Sequence, residues 1–215
     1  MSTGLSIFLV AGAYLLGSVS FSVVIVKLIQ GLDVRSVGSG NAGATNALRA
    51  AGRKAGVAVL ALDITKGVTA VVVPRILDAP PAVVGSAAVA VVVGHVYPVF
   101  FGFRGGKGVA TSAGALGALA PLAMGLGIVL FILLVMWKRY VSLGSIVTAA
   151  AFPFLATACH RLGWSDDGGG WLFGSAASIA FLIIFRHRGN LRRLRDGTEP
   201  RLAEPRPQAA GGRKP

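Results

Sequence analysis

Cysteine is almost missing: Cys159 stands alone, so no intrachain disulfide can form. It lies in an apolar stretch and reads as a small packing residue. Histidine is nearly as scarce, and the three residues are too widely spread to give metal-ligand spacing. No G-x-S-x-G nucleophile elbow occurs. No histidine is followed five residues later by aspartate, since Phe100, Ser165 and Arg192 stand at those places. No obvious protein general base is visible, and no metal or other cofactor is expected. Charge is thin too, at 13% of residues against the ~25% usual for soluble domains. Acid is the scarcest charge: 8 Asp and Glu face 21 Lys and Arg, for a net charge of +13. Met1 to Gly4 lacks a basic side chain, which argues against a cleaved signal peptide.

What the chain does have is apolar length. Hydrophobic residues make up 54% of it. Candidate spans are Leu5–Ile29, Ala55–Ile76, Ala82–Phe101, Val109–Trp137, Val141–Ala158 and Trp171–Phe185, several near the ~20 residues that cross a bilayer. The fourth run would make about 43 Å of helix, well beyond a ~30 Å hydrocarbon core. Pro121 sits inside it and offers a breaking point. Charge bias favours two spans there. With the first span starting outside, every Lys and Arg except Lys66, Arg75 and Arg161 then falls at or beyond a cytoplasmic helix end. Asp78, Asp166 and Asp167 fall outside. This pattern obeys the positive-inside rule. The expectation is an all-α integral membrane protein with seven transmembrane helices. The basic surplus is thereby explained without nucleic acid, and the aromatics lie mostly in the spans rather than among basic loops.

Polar residues gather in a few runs between these spans. The first, Gly38 to Arg49, includes Ser39, Gly40, Asn41, Gly43, Thr45 and Asn46. Glycines allow backbone amides to approach an anion, and Arg49 adds a forked cation suited to phosphate. The run matches G-x-G-x-x-G, but its membrane flanks exclude the βαβ unit that a dinucleotide site needs. The second run holds Gly105, Gly106, Lys107 and Gly108, then Thr111 and Ser112. It is no Walker A loop, because Phe101 replaces the first glycine and Gly108 the metal-binding hydroxyl. It reads as a second anion site opening a helix. His95, just before it, is either a buried hydrogen-bonding residue or a substrate contact. Lys138 and Arg139 anchor topology, while Ser142 and Ser145 share one helix face as a polar wall. His187 and Asn190 are likewise three apart and can face one pocket. Asp63 and Lys66 lie within a span at i, i+3 and are expected to pair.

Taken together, GSGNAGATNALR, GHVYPVFFGFRGGKGVAT, KRYVSLGS and HRGN, in this order, resemble the bacterial acyl-phosphate:glycerol-3-phosphate acyltransferases over about residues 5–200. The resemblance implies seven transmembrane helices with the active site at the cytoplasmic face of the bacterial inner (plasma) membrane. It implies acyl transfer from acyl phosphate to the 1-position of glycerol 3-phosphate, giving lysophosphatidic acid and phosphate. By that resemblance Ser39, Arg49, Lys107, His187 and Asn190 hold glycerol 3-phosphate. Gly40, Asn41, Gly43, Thr45 and Asn46 line the acyl-phosphate phosphate, and Arg139, Ser142 and Ser145 complete the wall. One departure is Ser18-Val-Ser-Phe-Ser22, where a proline or glycine is expected. Residues 1–197 are expected to form the transmembrane acyltransferase domain and 198–215 a disordered cytoplasmic tail. The expected partners are the two substrates and membrane lipid. The competing reading is a membrane transporter or channel for an organic phosphate, which also needs cationic loops and broken helices.

Overall fold

The computed structural model describes residues 1–164 and 169–202, and over these it is helical, with the breaks deciding the architecture. Helix α1 (Thr3–Ser18) starts on Ser2, whose hydroxyl accepts from Leu5 N. It stops at Val19–Ser20, and α2 (Phe21–Gln30) continues at once. Neither proline nor glycine makes this break. Instead Lys66 Nζ donates to the carbonyls of Gly17 (3.1 Å) and Val19 (2.9 Å), supplying partners that a broken helix end lacks. Lys66 also pairs with Asp63 at 2.9 Å, as their spacing predicts.

Helix α3 (Ala44–Ile76) is kinked at Gly52, whose φ of 83° only glycine adopts readily. Then come α4 (Pro81–Val96), α5 (Val109–Leu119), α6 (Pro121–Lys138), α7 (Val141–Arg161), α8 (Gly170–Arg186) and α9 (Arg188–Arg195). The long fourth run is thus two helices, broken at Ala120 with Pro121 opening α6. Arg75 of α3 donates to the carbonyls of Ala118 and Leu119 at that break. Two cations from one helix therefore satisfy two interrupted neighbours.

Small residues bring the helices together. A Cβ on Gly17 would collide with the Val91 carbonyl, and one on Gly94 with that of Tyr14, so α1 and α4 nearly touch backbones. Gly67 and Gly114 do the same for α3 and α5. Close approach through small residues is how membrane helices gain packing without a hydrophobic gradient between them. The core centres on Val91, Val92 and Val96 of α4, with Leu116, Phe152 and Ile179 around them. Helix α6 is peripheral, with only Ala123 and Gly127 buried.

Among the described residues, five helical segments are long and apolar enough to cross a bilayer, counting α1 with α2 as one broken span. A sixth counts if α8 and α9, bent by 57°, form one. Helix α5 has 11 residues, about 16 Å, and is too short to cross alone. The protein is a multi-pass membrane protein; length and composition supply five or six spans rather than seven. Asp166, Asp167 and residues 203–215 lie outside the described residues.

Candidate active site

The loop after α2 is built before any ligand is considered. Asp33 caps a short 3-10 turn and grips Arg35 through both carboxylate oxygens. The hydrogen bond from Arg35 holds the Asp33 carboxyl below its ordinary range, against a smaller effect of burial. Arg35 Nη1 then donates to the carbonyls of Phe101 (2.7 Å) and Arg104 (3.1 Å). The first polar loop is thereby clasped to the second. Asn46 locks the same loop from the other side. Its Oδ1 accepts from Ser39 N (2.9 Å), and its Nδ2 donates to Val34 O (2.7 Å) and Val37 O (3.0 Å).

In the second loop the amides of Gly105 and Gly106 donate to Val96 O and His95 O, at 3.2 and 3.1 Å. A Cβ on Gly106 would strike His95 Nε2 and crowd the Ala42 carbonyl. These two glycines therefore permit close packing of loop on helix and of loop on loop. They do not present free amides to an anion, which corrects that part of the expectation.

Both loops meet at one cavity of about 500 Å³. Its polar end is lined by Ser39, Asn41, Gly43, Thr45, Asn46 and Arg49, by His95 and Lys107, and by Ser142, Ser145, His187 and Asn190. Gly40, Gly105, Gly106, Thr111 and Arg139 do not line it. The Gly40 amide turns back onto Val37 O. Thr111 is buried where α5 meets Gly67. Arg139 ends α6 and binds Leu202 through its own carbonyl (2.6 Å) and guanidinium (3.3 Å).

Lys107 Nζ donates to Asn190 Oδ1 at 2.6 Å. Asn190 Nδ2 passes the contact to Glu199 Oε1 at 2.6 Å, and Ser142 Oγ donates to the same oxygen at 2.7 Å. Arg193 Nε holds Glu199 Oε2 at 2.7 Å. Burial opposes the charge on Glu199, yet the hydrogen bonds from Asn190, Ser142 and Arg193 outweigh it and keep the carboxyl below its ordinary value. Ser145 turns back onto Val141 O. His187 is buried, and its Nδ1 lies 2.8 Å from Ile183 O. A carbonyl can only accept, so Nδ1 carries the proton and Nε2 of the neutral ring keeps its lone pair. His95 Nδ1 lies 3.5 Å from Asp63 Oδ1, joining the buried Asp63–Lys66 pair to the cavity wall. Among the described residues, no three His, Cys, Asp or Glu side chains gather as metal ligands.

Glu199, Arg193 and Arg35 were missed by sequence reading. Glu199 stood in a stretch expected to be a disordered tail, yet residues 198–202 fold back over the cavity. Two acids just after the arginine run, Asp196 and Glu199, were the available signal, with nothing in the sequence to single out Glu199.

Residues 7–197 match the family described as glycerol-3-phosphate acyltransferase. The chain belongs to the glycerol-3-phosphate acyltransferase family. Relatives in this family include one from Halalkalibacterium halodurans, 46% identical over 90% of this chain and 94% of its own. One from Aquifex aeolicus is 45% identical over 92% and 99%. The fold agrees with the crystal structure of PlsY (YgiH), an integral membrane glycerol 3-phosphate acyltransferase, in its glycerol 3-phosphate form. The TM-score is 0.84 and the identity 42%, over 92% of this chain and 96% of that one. Its lysophosphatidic acid form gives a TM-score of 0.81 at 41% identity. The chain is therefore an acyltransferase of phospholipid biosynthesis embedded in the membrane.

Proposed function

We propose that the acyl donor is an acyl phosphate and that the acyl group passes directly to the 1-hydroxyl of glycerol 3-phosphate. The observation that carries this reading is one cavity that brings together cations from the two polar loops, Arg49 and Lys107, with Arg201 of the C-terminal segment also in its wall, at a polar end that continues into an apolar arm. Two phosphate-bearing substrates repel each other, and two cations in one site offset that repulsion. Arg49 has no hydrogen bond or ion pair among the described residues, so its fork is open to a phosphate. Ser39, Arg49, Lys107, His187 and Asn190 hold glycerol 3-phosphate. Gly40, Asn41, Gly43, Thr45 and Asn46 form the loop beside the donor phosphate, with Asn46 fixing its shape. Ser142 and Ser145 stand across the cavity.

An acyl phosphate is a mixed anhydride and needs no covalent enzyme intermediate. The glycerol oxygen attacks the carbonyl carbon, the bond from that carbon to the phosphate oxygen breaks, and the hydroxyl proton leaves on the departing phosphate. The enzyme supplies orientation and charge stabilisation. We place the site at the cytoplasmic face of a bacterial inner membrane, with seven segments if α5 counts as a partial crossing. The test is purified protein in detergent given acyl phosphate and glycerol 3-phosphate. Equal release of phosphate and lysophosphatidic acid is expected. A trapped acyl-protein, or no reaction unless a thioester donor is supplied, refutes the scheme.

A further inference from the structure

The geometry points to Phe152 and Gly127 as the residues that set how long an acyl chain the enzyme accepts. This rests on the acyl-transfer reading above. Past Ser142 and Ser145 the cavity wall turns mainly apolar, running along α7 by Thr148 and Ala149 to Phe152, with Leu116 of α5 and Met124 of α6 beside it at the deep end. Ten residues of helix separate Ser142 from Phe152, about 15 Å of depth. Phe152 is the last α7 residue to line the cavity and is only 2% exposed. Its ring belongs to the protein core together with Leu116 and Leu119. It therefore stands as a fixed end wall rather than a movable flap.

The facing wall is α6, antiparallel to α7, and there Gly127 leaves a gap. A Cβ at Gly127 would lie 3.4 Å from Thr148 Cγ2 and 3.6 Å from the Phe152 ring. One methyl fits at ordinary contact distance, and a larger side chain must project into the arm. The arm is also reachable from the lipid. Leu60 of α3 and Ile128 of α6 line it, yet are 44% and 49% exposed, so its side opens between these helices. A chain can slide in from the bilayer while its phosphate rests at the polar end.

Each methylene that gains an apolar wall is worth about a fourfold change in specificity. The test is kcat/KM for a series from decanoyl to stearoyl phosphate at fixed glycerol 3-phosphate. Phe152→Ala should move the optimum to longer chains, and Gly127→Leu should move it to shorter ones. Gly127→Ala should leave it in place. If Phe152→Ala fails to fold, Phe152→Leu makes the smaller opening and should shift the optimum the same way. Variants that still turn over decanoyl phosphate but keep the wild-type optimum overturn the proposal. A wild-type protein that ignores every acyl phosphate but accepts acyl thioesters sinks the donor reading instead. The same length series run with thioesters then decides the end wall.

Discussion

Lys107 and Arg49 face the cavity in different ways, and their substitutions should fail differently. Lys107 already holds Asn190 Oδ1, so Lys107→Ala removes a phosphate counter-charge and frees Asn190 together. We expect turnover to fall by about 10³-fold or more; wild-type phosphate release refutes the role. Arg49→Lys keeps the charge and loses the fork, so the KM for glycerol 3-phosphate should rise at least about tenfold. An unchanged KM would count against that contact. Glu199 carries a pH signature. Its folded carboxyl titrates below the ordinary value, 4.5, so its contribution to stability is present above that value. It is lost as pH falls through the lower folded value. Thermal midpoints in detergent should drop over that acid range in wild type, and drop less in Glu199→Gln. Parallel curves would show that Glu199 is not linked to folding. Most polar residues that line the cavity were legible, because they stand in short glycine-, amide- and cation-rich runs between apolar spans. Glu199 was not, because its partners Ser142, Asn190 and Arg193 declare themselves only in three dimensions. Gly105 and Gly106 misled because a glycine that packs and a glycine that cradles an anion look alike in one dimension.

Helix breaks show the same contrast. The break after α5 was readable, since Pro121 cannot continue a helix that lacks its amide donor. The break after α1 was not, because its cause is Lys66 on another helix. The Ser18–Ser22 segment keeps its bend without the proline or glycine expected there. Lys66→Met should strand the buried Asp63 and cost about 3–5 kcal/mol. Adding Asp63→Asn should recover much of that loss. A double variant no more stable than Lys66→Met, by thermal unfolding in detergent, would mean that the carbonyl contacts of Lys66 matter more than its ion pair. Gly114→Val should also destabilise, by about 1–3 kcal/mol or more, because its side chain meets the Ile64 backbone.

For the whole molecule, the multi-pass helical architecture was legible from apolar length and the sparse charge. The number of full crossings was not, because α5, with 11 residues, is too short to cross a bilayer alone. Lys107 and Ser142 nevertheless line one cavity, so the chain leaves and returns to the same end between them. The charge asymmetry predicts such a return. Cysteines introduced at Ser36, Arg104 and Arg192 should react with an impermeant thiol reagent only in inverted vesicles, and one at Asp78 only in intact spheroplasts. Labelling of Ser36→Cys and Arg104→Cys from opposite sides would dismantle the site.

Glu199 ties Ser142 to Asn190, and it is synthesised after every helix described here. A ribosome therefore delivers all the membrane segments before it delivers the carboxylate that joins two of the walls. The wall between Ser142 and Asn190 can therefore close only after every described helix has its full sequence. A stop codon just upstream should yield an inserted, helical and silent protein.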